Sequence, residues 1–137
     1  MLLGYRKLTG YSTLAIVLTG VPVLGQLNTE CFTTGTVGDC SQFISAFCNT
    51  IGTSLVQAAD SVGRCFNTGS FKCDLTAWNE LPGIGGNTPS VSNCNTALED
   101  VALCDLGGQA IFTGGNFLFT MQPNPGICAS NIADEGA

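Results

Sequence analysis

Apolar positions recur along this chain with two different periods, and the switch between them marks out its elements. In residues 39–48, DCSQFISAFC, the side chains Cys40, Phe43, Ile44, Phe47 and Cys48 fall every three or four positions, which predicts a helix with an apolar stripe. Asp39 stands where a side-chain oxygen can accept from the first free backbone amides. Residues 88–105 predict a second helix, with Thr88 as cap, Pro89 in the first turn, and Cys94, Ala97, Leu98 and Val101 on one face. Gly107-Gly108 reads as its end. Elsewhere the period is two: residues 52–58, 61–67, 72–79, 109–113 and 116–122 predict strands, the last two joined at Gly114-Gly115. Phe117, Phe119 and Met121 share the core face of the last strand. The expected order is αβββαββ. That is a small α+β sandwich of about five mostly antiparallel strands with two helices on one face. Residues 26–38 and the tail after Cys128 have loop composition.

Before all of this comes a different pattern. Arg6 and Lys7 precede an apolar run that begins at Leu14-Ala15-Ile16-Val17-Leu18 and continues to Leu24, followed by Gly25. Gly20 and Pro22 interrupt the run short of the roughly 20 apolar residues that a membrane-spanning helix needs. The pattern is that of a secretory signal peptide over residues 1–25, with cleavage near Gln26. Residues 26–137 then form one domain-sized unit of 112 residues. Only Arg64 and Lys72 remain there against ten acids, a net charge of −8. Binding to phosphate backbones or anionic lipid depends on clustered Lys and Arg, so neither nucleic acid nor membrane insertion is expected.

Eight cysteines, at 31, 40, 48, 65, 73, 94, 104 and 128, all lie in the exported part. An even count in a small secreted domain reads as four disulfides. A zinc site is excluded by the absence of any CxxC pair and of histidine. Eight cysteines allow 105 pairings. Cys48 and Cys94 lie on the apolar stripes of two helices expected on the same sheet face, which favours a bridge between them, although other pairings satisfy that geometry too. Without histidine there is no Ser-His-Asp or Cys-His arrangement, and oxidised cysteines offer no thiolate nucleophile. No pair of carboxylates stands in a recognisable catalytic context, and no D-x-D-x-D-G loop is present for calcium. No enzyme, cofactor or metal is therefore expected.

The stretch RCFNTGSFKCDLTAWN, residues 64–79, carries the chain's single tryptophan and both exported basic residues. If 72–79 is a strand, Cys73, Leu75 and Ala77 share one face, and Lys72, Asp74, Thr76 and Trp78 the other. Placing Cys65 inward on the neighbouring strand sends Arg64 and Phe66 to that same outer face. Aromatic rings beside fixed polar groups suit a neutral sugar, whose C–H face lies on the ring while its hydroxyls are satisfied around it. In this reading Trp78 is the stacking residue, Phe66 its helper and Asp74 the acceptor. Asn67 and Asn79 are rim donors, Thr76 is a neighbour, and Arg64 and Lys72 orient Asp74. The alternatives are that Trp78 fills a gap under a loop or packs against a second subunit.

The order Cys-helix-Cys, RCFNTG…KCDLTAWN, a cysteine-bearing helix and a hairpin closing in PNPGIC resembles the small secreted glycan-binding proteins of mushrooms, the inky-cap antiviral lectins. The resemblance covers roughly residues 31–128. It implies an α/β sandwich distantly similar to a fungal killer-toxin fold, and homodimers joined edge to edge into one sheet. It also implies non-catalytic binding of N-acetylhexosamine-containing glycans, such as LacdiNAc-type termini, and places the protein outside the cell. The runner-up expectation is a secreted killer-toxin-like or defence protein acting on membranes or channels, against which the acidic balance argues. Hydrophobins also carry eight cysteines but need adjacent Cys-Cys doublets, which this chain lacks.

Overall fold

The apolar stripe that begins at Cys40 folds as one 3-10 turn, Ser41–Phe43, running directly into helix α1, Ile44–Ile51. Asp39 stands one residue before the N-cap position at Cys40, and its Oδ1 accepts the first backbone N–H of the turn, that of Ser41, at 2.9 Å. The helix runs three residues beyond the predicted end, to Ile51, and its C-cap is Gly52, where a β-carbon would drive into a Val91 methyl of the second helix. Glycine there lets the end of α1 and the start of α2 come together. These observations come from a computed structural model that describes residues 25–129. The signal segment expected over residues 1–25 lies outside the described residues except for Gly25, as does the tail beyond 129.

Strand β1 is Leu27–Cys31; after α1 follow β2 (Val56–Gln57), β3 (Ser61–Asn67), β4 (Lys72–Asn79) and β5 (Gly86–Asn87). Helix α2 spans Val91–Val101, and β6 (Gly108–Phe112) and β7 (Phe117–Asn124) close the chain. The bounds of β3 and β4 match the alternation in the sequence. Four expectations are corrected. Residues 52–58 yield only the two-residue β2, because α1 extends to 51. Residues 26–38 are not all loop, since β1 pairs along β6. The second helix is capped by Ser90, whose Oγ accepts from the Asn93 N–H, and not by Thr88, because the helix begins only at Val91, three residues after Thr88. That helix ends at Val101, not at Gly107-Gly108. Gly107, at φ +81°, instead turns the chain into β6 against the Met121 carbonyl, where no β-carbon fits.

Five strands form one antiparallel sheet in the order β1-β6-β7-β4-β3, and β2 pairs with β5 in a small second one. Both helices lie on the same face of the large sheet. Phe47, Cys48 and Ile51 of α1 and Cys94, Ala97, Leu98 and Val101 of α2 meet Cys73, Leu75 and Ala77 of β4 and Phe119 and Met121 of β7, all buried. The expected core face of the last strand is therefore present. Four bridges lock the layers: Cys48–Cys94 between the helices, as expected, Cys40–Cys73 from the 3-10 turn to β4, Cys31–Cys104 from β1 to the segment after α2, and Cys65–Cys128 from β3 to the C-terminal segment. Their sequence separations of 33 to 73 residues correspond to about 3.5–4.5 kcal/mol each in the chain-entropy account, without additivity.

Candidate functional site

Because the helices occupy one side, the other face of the five-stranded sheet has no helix or strand over it among the described residues. Which side chains stand there follows from register, since directly opposed residues in an antiparallel pair share a face. Trp78 opposes Ser61 on β3 and Leu118 on β7, and Leu118 opposes Ile111 on β6. Trp78, Leu118 and Ile111 thus make an apolar row across the strands. The next row is polar: Thr76, Thr120 and Gln109, with Gly63 beside Thr76 on the β3 flank. Gly63 leaves that flank without a side chain, so the space next to Thr76 and Trp78 is open. Beyond it lie Asp74 with Gln122, then Lys72 with Asn124.

The sequence places Lys72, Asp74, Thr76 and Trp78 on this outer face, and the structure does so too. Trp78 is 45% exposed, unusual for the largest apolar side chain of a small domain. Asp74 is oriented by Lys72, at 3.4 Å, and by the Asn124 amide, which donates to Oδ2 at 2.7 Å. The two charges offset each other, so the face presents hydroxyls and amides more than net charge.

Five other expectations change. Phe66 opposes Cys73, so it points to the helix side, where its ring stacks on Phe43 at 4.8 Å between centroids. Arg64 opposes Leu75 on that side as well, and donates to the Gly63 carbonyl rather than to Asp74. Cys65 is the residue that faces outward, opposite Asp74. Asn79 shares the parity of Cys73, Leu75 and Ala77 and is 1% exposed; its amide donates to the Val56 carbonyl at 2.9 Å and its oxygen accepts from Leu81 N–H. It pins the small sheet to the large one and is no rim donor. Asn67 does stand on the outer side, but its oxygen accepts the Cys128 N–H at 2.7 Å, anchoring the C-terminal segment.

Sequence reasoning missed Leu118, Thr120, Gln122, Gln109 and Ile111. The alternation of Phe117, Phe119 and Met121 already sent 118, 120 and 122 outward; the missing knowledge was that β7 lies directly beside β4. Among the described residues no group of three or more His, Cys, Asp or Glu side chains converges where a metal ion could sit. The arrangement can hold a neutral, ring-shaped polyol. Its apolar face would rest on the indole and its hydroxyls would exchange hydrogen bonds with Thr76, Thr120 and Asp74.

Comparison with known proteins bears on that chemistry. Residues 39–128 match the family described as glycan binding domain Y3. The chain is also 34% identical over 98 residues to antiviral protein CAP of Coprinus comatus, an alignment covering 70% of this chain and 97% of that protein. The matched family region contains both helices and strands β2 to β7, and so the whole outer face except the β1 edge.

Proposed function

Since the chain belongs to the glycan binding domain Y3 family, we propose that it is a secreted lectin that holds N-acetylhexosamine-containing glycans on the uncovered sheet face without altering them. That it is a carbohydrate-binding protein rests on the family; the sugar and the face are the present reading. The observation that carries it is the half-exposed Trp78 at the end of an apolar row bordered by Thr76, Thr120 and Gln109. A pyranose stacked on the indole sets its hydroxyls over the threonine row, and the methyl of an acetamido group fits against Leu118 and Ile111.

Secretion is supported by four disulfides, which form and persist in oxidising compartments. Intact mass of protein from the culture medium is expected to start at or near Gln26, and a retained residue 1 overturns it. A homodimer through a sheet edge completes the proposal, because β1 and β3 each leave a row of backbone groups without a strand partner among the described residues.

Calorimetric titration of Trp78→Ala with an N-acetylhexosamine glycan chosen from an array tests the site. A tryptophan presents up to about 250 Å², so its exposed part is about 110 Å² at 45%. Covering half to all of that with sugar removes about 1.4–2.8 kcal/mol at 25 cal/mol/Å², ten- to a hundredfold in affinity. Undiminished affinity in a folded variant of unchanged mass places the site elsewhere. Loss of dimer mass with unchanged affinity per subunit assigns Trp78 to the subunit contact. Cleaved or modified glycan recovered after incubation excludes a pure lectin.

A further inference from the structure

A second concavity lies on the other side of the sheet. It opens between the first turn of α2 and the β6–β7 hairpin and has a volume of about 210 Å³. The register keeps it apart from the Trp78 face: Phe117 opposes the buried Asn79, one position removed from the Trp78–Leu118 pair, and points to the helix side. Its floor is aromatic, from Phe112 and Phe117, and its walls carry Asn87, Ser90, Asn93 and Asn116. The hairpin rim is glycine at 114 and 115, and a β-carbon at Gly115 would come within 2.9 Å of the Phe112 carbonyl, so the mouth has no side chain across it.

Three properties of this cavity define what it can take. No charged side chain lines it, so a phosphate, a carboxylate or an amine would find no counter-charge there. The side-chain amides of Asn87, Asn93 and Asn116 form no hydrogen bond to protein among the described residues, leaving three donor-acceptor groups turned to a neutral polar guest. The volume is below the 300–1,000 Å³ of pockets that hold drug-sized ligands, and suits one ring.

We infer that this cavity is a second carbohydrate site, taking a single neutral pyranose, so that one subunit contacts sugar on both sides of its sheet. The inference rests on the carbohydrate-binding reading. Amides and hydroxyls grip the ring hydroxyls, and the two phenylalanine rings meet its C–H face. A subunit with two such contacts can engage two branches of one glycan, or two glycans, which multiplies avidity without any change in either site.

Nitrogen-15 correlation spectra of the full mature protein, titrated with glucose, galactose, mannose, N-acetylglucosamine and N-acetylgalactosamine to about 50 mM, decide the matter, because single-ring affinities fall near the millimolar range. The expected result is a saturable shift of the Gly114 and Gly115 amides and of the Asn87, Asn93 and Asn116 side-chain signals. That shift persists in Trp78→Ala and is lost in Asn93→Phe, which fills the cavity from an exposed helix position. Shifts confined to the Trp78 indole and its neighbours overturn the second site and leave the lectin reading intact. An absence of shifts for every sugar, at both places, overturns both. Cavity shifts that keep their midpoint in a folded Asn93→Phe also overturn the second site.

Discussion

Asn79 sits one residue from the proposed stacking tryptophan, and its replacement separates structure from recognition. In Asn79→Ala the Val56 carbonyl and the Leu81 N–H both lose their side-chain partner. Val56 is itself buried, so its carbonyl bears most of the desolvation penalty of an unsatisfied group, about 1–3 kcal/mol. Leu81 is half-buried and water can reach its N–H, which adds about 1 kcal/mol. The expected loss is about 2–4 kcal/mol, roughly 10 °C in melting temperature for a domain of this size. Glycan affinity of the folded variant is expected to stay within a factor of two. Urea unfolding of the disulfide-intact protein measures the first, and calorimetry below the transition the second. Asn79→Asp sharpens the test. A carboxylate there faces the Val56 carbonyl, so burial raises its folded-state pKa, and the deficit shrinks as pH falls toward the unfolded value. A midpoint within about 0.5 kcal/mol of the parent, the range of ordinary surface changes, combined with a tenfold loss of affinity, would refute the clamp and return Asn79 to the site.

Phe66→Ala removes a half-buried ring stacked on Phe43 and is expected to lower stability by about 1.5–3 kcal/mol, less than the 3–5 of a fully buried phenylalanine; unchanged glycan affinity supports its helix-side place, and a selective affinity loss contradicts it. Hydrogen bonds from the Ser41 hydroxyl and backbone N–H hold the Asp39 carboxyl below its usual range. Its contribution is therefore present above the unfolded value near 3.9 and lost as pH falls through and below it. Asp39→Ala should cost about 0.5–1 kcal/mol at pH 6 and less at pH 2; equal deficits at both pH values rule out a role for the Asp39 carboxylate at this turn. Light scattering at micromolar concentration is expected to give twice the mature mass, and a monomer mass disposes of the edge-to-edge dimer.

The features legible in the sequence were those in which a local period meets a strong boundary. The alternation of 72–79 and the stripe of Phe47, Cys48, Cys94 and Leu98 showed their buried faces directly, because a side chain's face is fixed by its own backbone. Relations between elements were less visible. Between Asn67 and Lys72 run four residues, closed by the Thr68 N–H on the Phe71 carbonyl. An even-length connection pairs odd positions with even ones, so Cys65 and Cys73 fall on opposite faces. Assuming that both cysteines point inward moved Arg64 and Phe66 to the wrong side. Strand β1 escaped notice because, as a largely polar edge, it buries little beyond Leu27 and pairs with a segment some eighty residues away. The proposed glycan face was half visible: β4 declared its outer side chains, but only the sheet order supplied Leu118 and Thr120.

The bridges interleave: Cys65–Cys128 crosses the spans of Cys31–Cys104, Cys40–Cys73 and Cys48–Cys94. Every peptide bond between Cys31 and Cys128 is therefore overarched by at least one of them. A protease that cuts any single one of those bonds releases nothing. The nicked molecule migrates as one piece until it is reduced, and both faces of the sheet stay attached to the same covalent body. In an environment rich in digestive enzymes, such a chain tolerates damage by its pattern of cross-links, before the strength of its fold is called upon.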